Sequence, residues 1–260
     1  MIEALRQDGR PWRIGHRGAA ALAPENTLEA LERAVAEGVD VIEFDVLALV
    51  DGTLVLAHSD DLRELTHGKA NGRVGTSGLA ELRELAPELP TLEEALGYLS
   101  GTDVGLHVDV KWVGYERALV EALQRHGVVA RSLVSSFFAD SLVEMGAAEP
   151  GLRRAFSYPL DRYGVSQRKP LAPAVLAALV AMRVTLPRRI AGLLDRAGAT
   201  VATLHHLVAT RGVIDRCHAH GAAVWAWTVD DPRAVKRLTE AGVDGIVSND
   251  PRVLAATLTA

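Results

Sequence analysis

The feature that most constrains this chain is an alternation. Short apolar, β-rich runs near 12–18, 41–47, 104–111, 132–137, 153–158, 200–205, 223–229 and 245–248 take turns with Ala/Leu-rich helical runs. The helical patterns include Thr27–Glu37, Leu92–Leu99, Tyr115–His126, Ala172–Met182, Pro187–Ala197, Val208–His220 and Pro232–Ala241. Gly38, Gly127, Gly198, Gly221 and Gly242 stand where helices would stop. Strands that alternate with helices imply a parallel sheet. Eight such strands in 260 residues point to a closed (β/α)8 barrel of the TIM type, an architecture that needs about 250 residues. A doubly wound sheet would call for a phosphate loop after the first strand, and Gly15-His16-Arg17-Gly18 matches neither the dinucleotide nor the P-loop pattern. We therefore expect a single domain over 1–260.

One segment departs from the alternation. Val46–Val50, Asp51-Gly52 and Thr53–His58 read as a hairpin, because Asp-Gly is a strong two-residue turn signal. This predicts a small hairpin and loop insertion after the second strand, including the glycine-rich stretch Thr66–Gly78. With Asp51 and Gly52 as the turn, Val50 pairs with Thr53, and Asp45 then lies opposite His58.

Net charge is −5, which argues against broad electrostatic capture of nucleic acid or an anionic membrane. The N-terminal stretch has no apolar signal region, and no apolar run reaches the ~18 residues that span a bilayer. The expectation is a soluble, cytoplasmic protein without stable membrane insertion. The single cysteine, Cys217, permits no internal disulfide.

In a barrel, reactive groups gather at the C-terminal ends of the strands. Strand one ends in His16-Arg17, strand two carries Glu43 and Asp45, and strand three carries Asp109 and Lys111. Residues two apart on a strand share a face, so Glu43 and Asp45 sit side by side. Two buried carboxylates repel each other unless a cation lies between them. Three carboxylates offer oxygen ligands suited to a hard cation, Mg²⁺ or Ca²⁺, with Mn²⁺ also compatible, and unsuited to structural zinc. A structural salt-bridge network of Asp109 with Lys111 or Arg17 is the competing reading. The number of charged groups on three adjacent strands favours a site.

His16 and His58 stand out among nine histidines because each lies next to this acidic cluster, and imidazole serves as acid or base near neutrality. His67, His107, His126, His206, His218 and His220 read as surface or loop residues, and His205 as either structural or facing the mouth. Trp227, nearer the strand end than Trp225, is a candidate for the wall of a small-molecule pocket. Ser136 and Phe137 are weaker candidates of the same kind.

These motifs together resemble the glycerophosphodiester phosphodiesterase family. The resemblance rests on His16-Arg17-Gly18 with Pro24-Glu25-Asn26-Thr27, and on Ile42-Glu43-Phe44-Asp45-Val46 followed by Asp51-Gly52 and His58. It extends to Val108-Asp109-Val110-Lys111, Trp227-Thr228-Val229, and Gly242-Val243-Asp244-Gly245-Ile246 with Asn249-Asp250-Pro251. The resemblance implies a (β/α)8 barrel and metal-dependent hydrolysis of a small glycerophosphodiester to sn-glycerol 3-phosphate and an alcohol. It implies His16 and His58 as acid and base, Glu43, Asp45 and Asp109 as metal ligands, and Arg17 and Lys111 as phosphate contacts. Two positions depart from the pattern: Asp109 stands where the family usually has glutamate, and Ser59 where it usually has aspartate, with Asp60 one place on as a substitute. The alternatives are a lysophospholipase D-like activity on lipids, which the polar, basic loop Tyr158–Pro173 disfavours, and a catalytically weak barrel that binds a phosphorylated ligand.

Overall fold

A computed structural model describes residues 9–160 and 172–258. Eight parallel strands close on themselves: β1 (Trp12–Gly15), β2 (Val41–Ala48), β4 (Gly105–Val110), β5 (Ser132–Ser136), β6 (Arg153–Tyr158), β7 (Val201–His205), β8 (Ala223–Trp227) and β9 (Gly245–Ser248). Closure is direct, because β1 pairs with both β2 and β9. The remaining strand, β3 (Leu54–Leu56), pairs antiparallel to β2 outside the ring. The expected barrel is therefore present, although β1 stops at Gly15 and β8 at Trp227, short of the predicted ends.

Helices α1 (Leu28–Ala36), α4 (Leu92–Leu99), α5 (Glu116–Arg125), α6 (Ala139–Ala148), α7 (Ala172–Ala197), α8 (Arg211–Ala219), α9 (Pro232–Ala241) and α10 (Pro251–Thr257) follow the barrel strands. Their buried faces, such as Leu31 and Ala34 of α1 or Leu119 and Leu123 of α5, pack on outward strand residues including Ile42, Phe44, Val108 and Val134. Two predicted helices, Ala172–Met182 and Pro187–Ala197, are one continuous α7. Pro187 lacks a single N–H and its ring disfavours the preceding turn, but burial of Leu186, Ile190 and Leu194 against the barrel outweighs that local penalty.

Inward-facing residues follow the strand period of two. Ile14, Val41, Leu133, Ala155, Val201, Ala223, Trp225 and Val247 form an apolar floor inside the barrel. Two or four places further on come Glu43 and Asp45, Ser135, His205 and Trp227 on the strands themselves, and His16, Phe137 and Asn249 one residue past the ends of theirs. The chemistry-bearing side chains thus emerge just above the floor, at the strands' C-terminal ends.

The insertion after β2 is larger than a hairpin. It contains β3, α2 (Leu62–Leu65) and α3 (Leu79–Leu85), over its own apolar cluster of Leu47, Leu49, Val55, Leu62, Val74, Leu82 and Leu89. The predicted register is off by one. Leu56 lies opposite Val46, and Leu49 N–H donates to Thr53 O at 2.8 Å, so the turn holds three residues, Val50-Asp51-Gly52. Gly52 takes a positive φ of 83°, as a three-residue hairpin with a glycine bulge requires. Asp45 consequently meets Ala57, whose N–H donates to Asp45 O at 3.2 Å, and His58 lies one residue past the pairing.

Candidate active site

Asp45, with no exposed surface, sits at the centre of the site. Lys111 Nζ lies 2.7 Å from its Oδ1 and Arg17 Nε 3.1 Å from its Oδ2, both as ion-pair contacts rather than aligned hydrogen bonds. Lys111 Nζ also donates to Asp109 Oδ2 at 2.6 Å. Ligand oxygens of Glu43, Asp45 and Asp109 all lie within 4.8 Å of one another, and the three residues are buried. Both predicted arrangements are thus present together: a carboxylate cluster, and a lysine bridging two of its members.

The charge balance shows in the ionisation. Burial, and then Asp45, push Glu43 well above the usual carboxylate range. Burial alone would raise Asp45 too, but Lys111 and then Arg17 outweigh it and hold Asp45 well below that range. Burial acts to lower Lys111, and Asp109 and Asp45 overturn it, so the ammonium is held charged. Three buried acids stand against two cations, and the excess of negative charge acts on Glu43 in the same direction as its burial.

Backbone geometry places Arg17. It adopts a positive φ of 50°, its N–H donates to Glu43 Oε2 at 2.8 Å, and its Nη1 contacts both oxygens of Glu25 at 2.7 Å. Asn26 binds Asp45 at two points. Its Nδ2 donates to Asp45 Oδ2 at 2.9 Å and its Oδ1 accepts from Asp45 N at 3.1 Å, while Thr27 caps α1. Tyr115 Oη, which sequence reasoning passed over, donates to Val46 O at 2.6 Å and accepts from Lys111 N at 3.0 Å.

The two histidines flank the acids differently. His16 Nε2 lies 3.9 Å from Glu43 Oε2, and its Nδ1 is 2.6 Å from Asn249 Oδ1. Asn249 Nδ2 donates to Asp230 at 2.6 Å, which turns Oδ1 toward the imidazole. His16 must then carry its proton on Nδ1, leaving a lone pair on Nε2. Burial, aided by Arg17, pushes His16 down to about 4. His58 shares a cleft of about 630 Å³ with Arg17, Glu25 and Glu64, and its Nδ1 is 2.7 Å from Glu64 Oε1. Asp60 does not reach His58: it binds Arg73 Nε at 2.5 Å and Gly75 N at 2.7 Å. Glu64 carried no signal in the sequence, because only the fold of the insertion brings it back to His58.

Trp227 forms the opposite wall with Phe137 and His205, at ring centroid separations of 6.2 and 5.2 Å. Ser136 serves the backbone, donating to Val110 O at 3.0 Å. His107 corrects the reading of a surface or loop histidine. It lies buried on β4 inside the barrel, in edge contact with Trp225, with Nε2 2.8 Å from Ser135 Oγ, which donates to Asp109. Burial pushes His107 down to about 4. A lowered histidine favours the neutral form in the fold, so stability is present above its ordinary pKa of 6.5 and lost as pH falls toward 4. On this basis His107 alone is expected to contribute a loss of about 2 kcal/mol between pH 7 and pH 5. Urea unfolding at the two pH values, repeated with His107→Gln, checks this: the variant should show the smaller difference, and an equal difference would contradict it.

Known proteins resemble this chain over most of its length. The profile of the glycerophosphoryl diester phosphodiesterase family covers residues 16–253. The chain is 27% identical to a glycerophosphodiester phosphodiesterase of Caldanaerobacter subterraneus subsp. tengcongensis, over 93% of this chain and 95% of that protein. It is 30% identical to the protein named probable glycerophosphodiester phosphodiesterase 1 of Mycobacterium tuberculosis, over 94% and 90%. Among solved structures, an Oleispira antarctica phosphodiesterase in complex with the product sn-glycerol-3-phosphate aligns with a TM-score of 0.75 and 26% identity, over 96% of this chain and 98% of that one. With its carboxylates, cations and histidines assembled at the mouth of a (β/α)8 barrel, this chain belongs to the glycerophosphoryl diester phosphodiesterase family.

Proposed function

We propose that this enzyme hydrolyses glycerophosphodiesters, such as glycerophosphocholine or glycerophosphoethanolamine, to sn-glycerol 3-phosphate and the free alcohol, with a divalent cation held by Glu43, Asp45 and Asp109. The observation that carries the reading is the clustering of these three buried carboxylates beside Lys111 and Arg17. The all-oxygen donor set fits a hard cation, Mg²⁺, Ca²⁺ or Mn²⁺, and the mutual repulsion of the three carboxyl groups that adds to burial in raising Glu43 is what such an ion would relieve. When bound, the ion supplies Lewis-acid stabilisation of charge on the phosphoryl oxygens.

The chain's own residues account for the rest. Lys111 and Arg17 hold positive charge where the anionic diester enters and where negative charge grows in the transition state. His16 presents a lone pair on Nε2 and takes a proton from the nucleophile, which is water or the glycerol 2-hydroxyl. His58, entering the step as the imidazolium, gives its Nε2 proton to the departing alcohol, and the proton held by His16 then passes to solvent. Trp227 lines the wall that the alcohol faces. The relative solved with sn-glycerol-3-phosphate supports the assignment of product.

A second reading, lysophospholipase D-like action on lipids, gains support from one feature. Trp112, 49% exposed and stacked on Phe138, and Leu160, 44% exposed, stand past the ends of β4 and β6. The loop Tyr158–Pro173, which argued against this reading, falls largely outside the described residues. Among the described residues no helix is long and apolar enough to cross a membrane. Product analysis with glycerophosphocholine and its acylated counterpart separates the two. The proposal expects sn-glycerol 3-phosphate and choline from the former at the higher kcat/KM. Preferential turnover of the acylated substrate would favour the lipid reading, and release of phosphocholine would contradict both.

A further inference from the structure

We propose that Glu64 is a positioning residue for His58, reaching it from the insertion and fixing which imidazole nitrogen works on the substrate. The proposal rests on the reading of His58 as an acid–base group. Glu64 stands on the four-residue helix α2, six places from His58, and divides its two oxygens between two partners. Oε1 lies 2.7 Å from His58 Nδ1, and Oε2 accepts from Ser59 Oγ at 2.7 Å. Ser59 Oγ is itself held by the N–H of Asp61, at 3.3 Å, and Asp61 caps α2 through Arg63 N. The helix is anchored by Leu62 in the insertion's apolar cluster, with Leu65 at its far end packed against the same cluster.

The hydrogen bond from His58, together with Ser59, pushes Glu64 down to about 2, so it is a carboxylate at any working pH. A carboxylate only accepts, and His58 must therefore donate from Nδ1. Nε2 is then the nitrogen left for the substrate. Glu25, the other acid near His58, is taken up at both oxygens by Arg17. The pair is partly open to solvent, with His58 30% and Glu64 45% exposed, and contacts of that kind contribute little to stability. Fixing ring orientation and tautomer is the effect such a bond has in acid–base sites. The insertion thereby becomes part of the catalytic apparatus rather than a decoration of the barrel.

The test is a double-mutant cycle on glycerophosphocholine hydrolysis with Glu64→Ala, His58→Ala and the double variant. Glu64→Ala should lower kcat about 10- to 100-fold with KM within about twofold, and should cost almost nothing further once His58 is absent. Nitrogen-15 spectra recorded without metal, at a pH where the ring is neutral, should show His58 as the Nδ1–H form in the wild type and a mixture in Glu64→Ala. Wild-type kcat in Glu64→Ala, an equal loss in both backgrounds, or an unchanged tautomer would overturn the positioning role. Wild-type kcat in His58→Ala would overturn the acid–base reading beneath it, and the ring spectra would still report whether Glu64 sets the tautomer.

Discussion

Replacing either His16 or His58 by alanine is expected to lower kcat about 10²- to 10⁴-fold while the barrel stays folded, the range an acid–base group contributes. The two differ in surroundings, and the accompanying losses should differ with them. His16 sits in a relay in which Asp230 holds Asn249 and Asn249 holds the imidazole. Asn249→Leu should therefore reproduce part of the His16→Ala loss without touching the reacting atoms. His58 lies outside that relay, so its loss should be insensitive to Asn249. Steady-state kinetics with circular dichroism on each variant checks the expectation. Near-wild-type kcat in either alanine variant would remove that histidine from the proton transfers.

The second large effect concerns Lys111. Its ammonium contacts Asp45 at 2.7 Å and Asp109 at 2.6 Å, with a side chain only 15% exposed. Removing one partner of a buried ion pair leaves uncompensated charge and typically costs about 3–5 kcal/mol. Lys111→Met is close in volume and adds no polar group, so the cost would be electrostatic. In metal-free buffer the melting temperature should fall on the order of 10 °C. A divalent cation should then stabilise Lys111→Met more than it stabilises the wild type, because the ion supplies charge that lysine no longer provides. Calorimetry with EDTA and with added Mg²⁺ or Ca²⁺ makes the comparison. Equal stability of variant and wild type in EDTA would show that the carboxylates do not depend on Lys111.

The barrel was legible because its signals are redundant. β2 and β4 are buried on both sides and read as near-continuous apolar runs, so Glu43, Asp45, Asp109 and Lys111 stood out as interruptions. The same reasoning misplaced His107, which also interrupts an apolar strand but is satisfied by Ser135 inside the barrel. The hairpin shows how narrow the margin is. Asp51-Gly52 marked the turn correctly, but a turn of three residues rather than two shifted the register by one, and no residue type announces that difference. His58 reached the site all the same, because the chain leaves the strand at Ala57. Asn26 and Glu64 were invisible as site residues for another reason. Each reaches its partner across a loop whose path depends on packing elsewhere, in Glu64's case on the apolar cluster beneath the insertion. Pro187 marks the opposite limit, a strong local stop signal overridden by burial along α7.

The central claim is metal-dependent release of sn-glycerol 3-phosphate at the Glu43–Asp45–Asp109 cluster. Its most direct test is that release, from glycerophosphocholine, by purified protein in EDTA and after addition of Mg²⁺, Ca²⁺ or Mn²⁺, with Glu43→Gln alongside. The account predicts turnover that EDTA abolishes, that one of these ions restores in the wild type, and that Glu43→Gln recovers only at much higher ion concentration. Full turnover in EDTA, or restoration at the same ion concentration in Glu43→Gln, would contradict it.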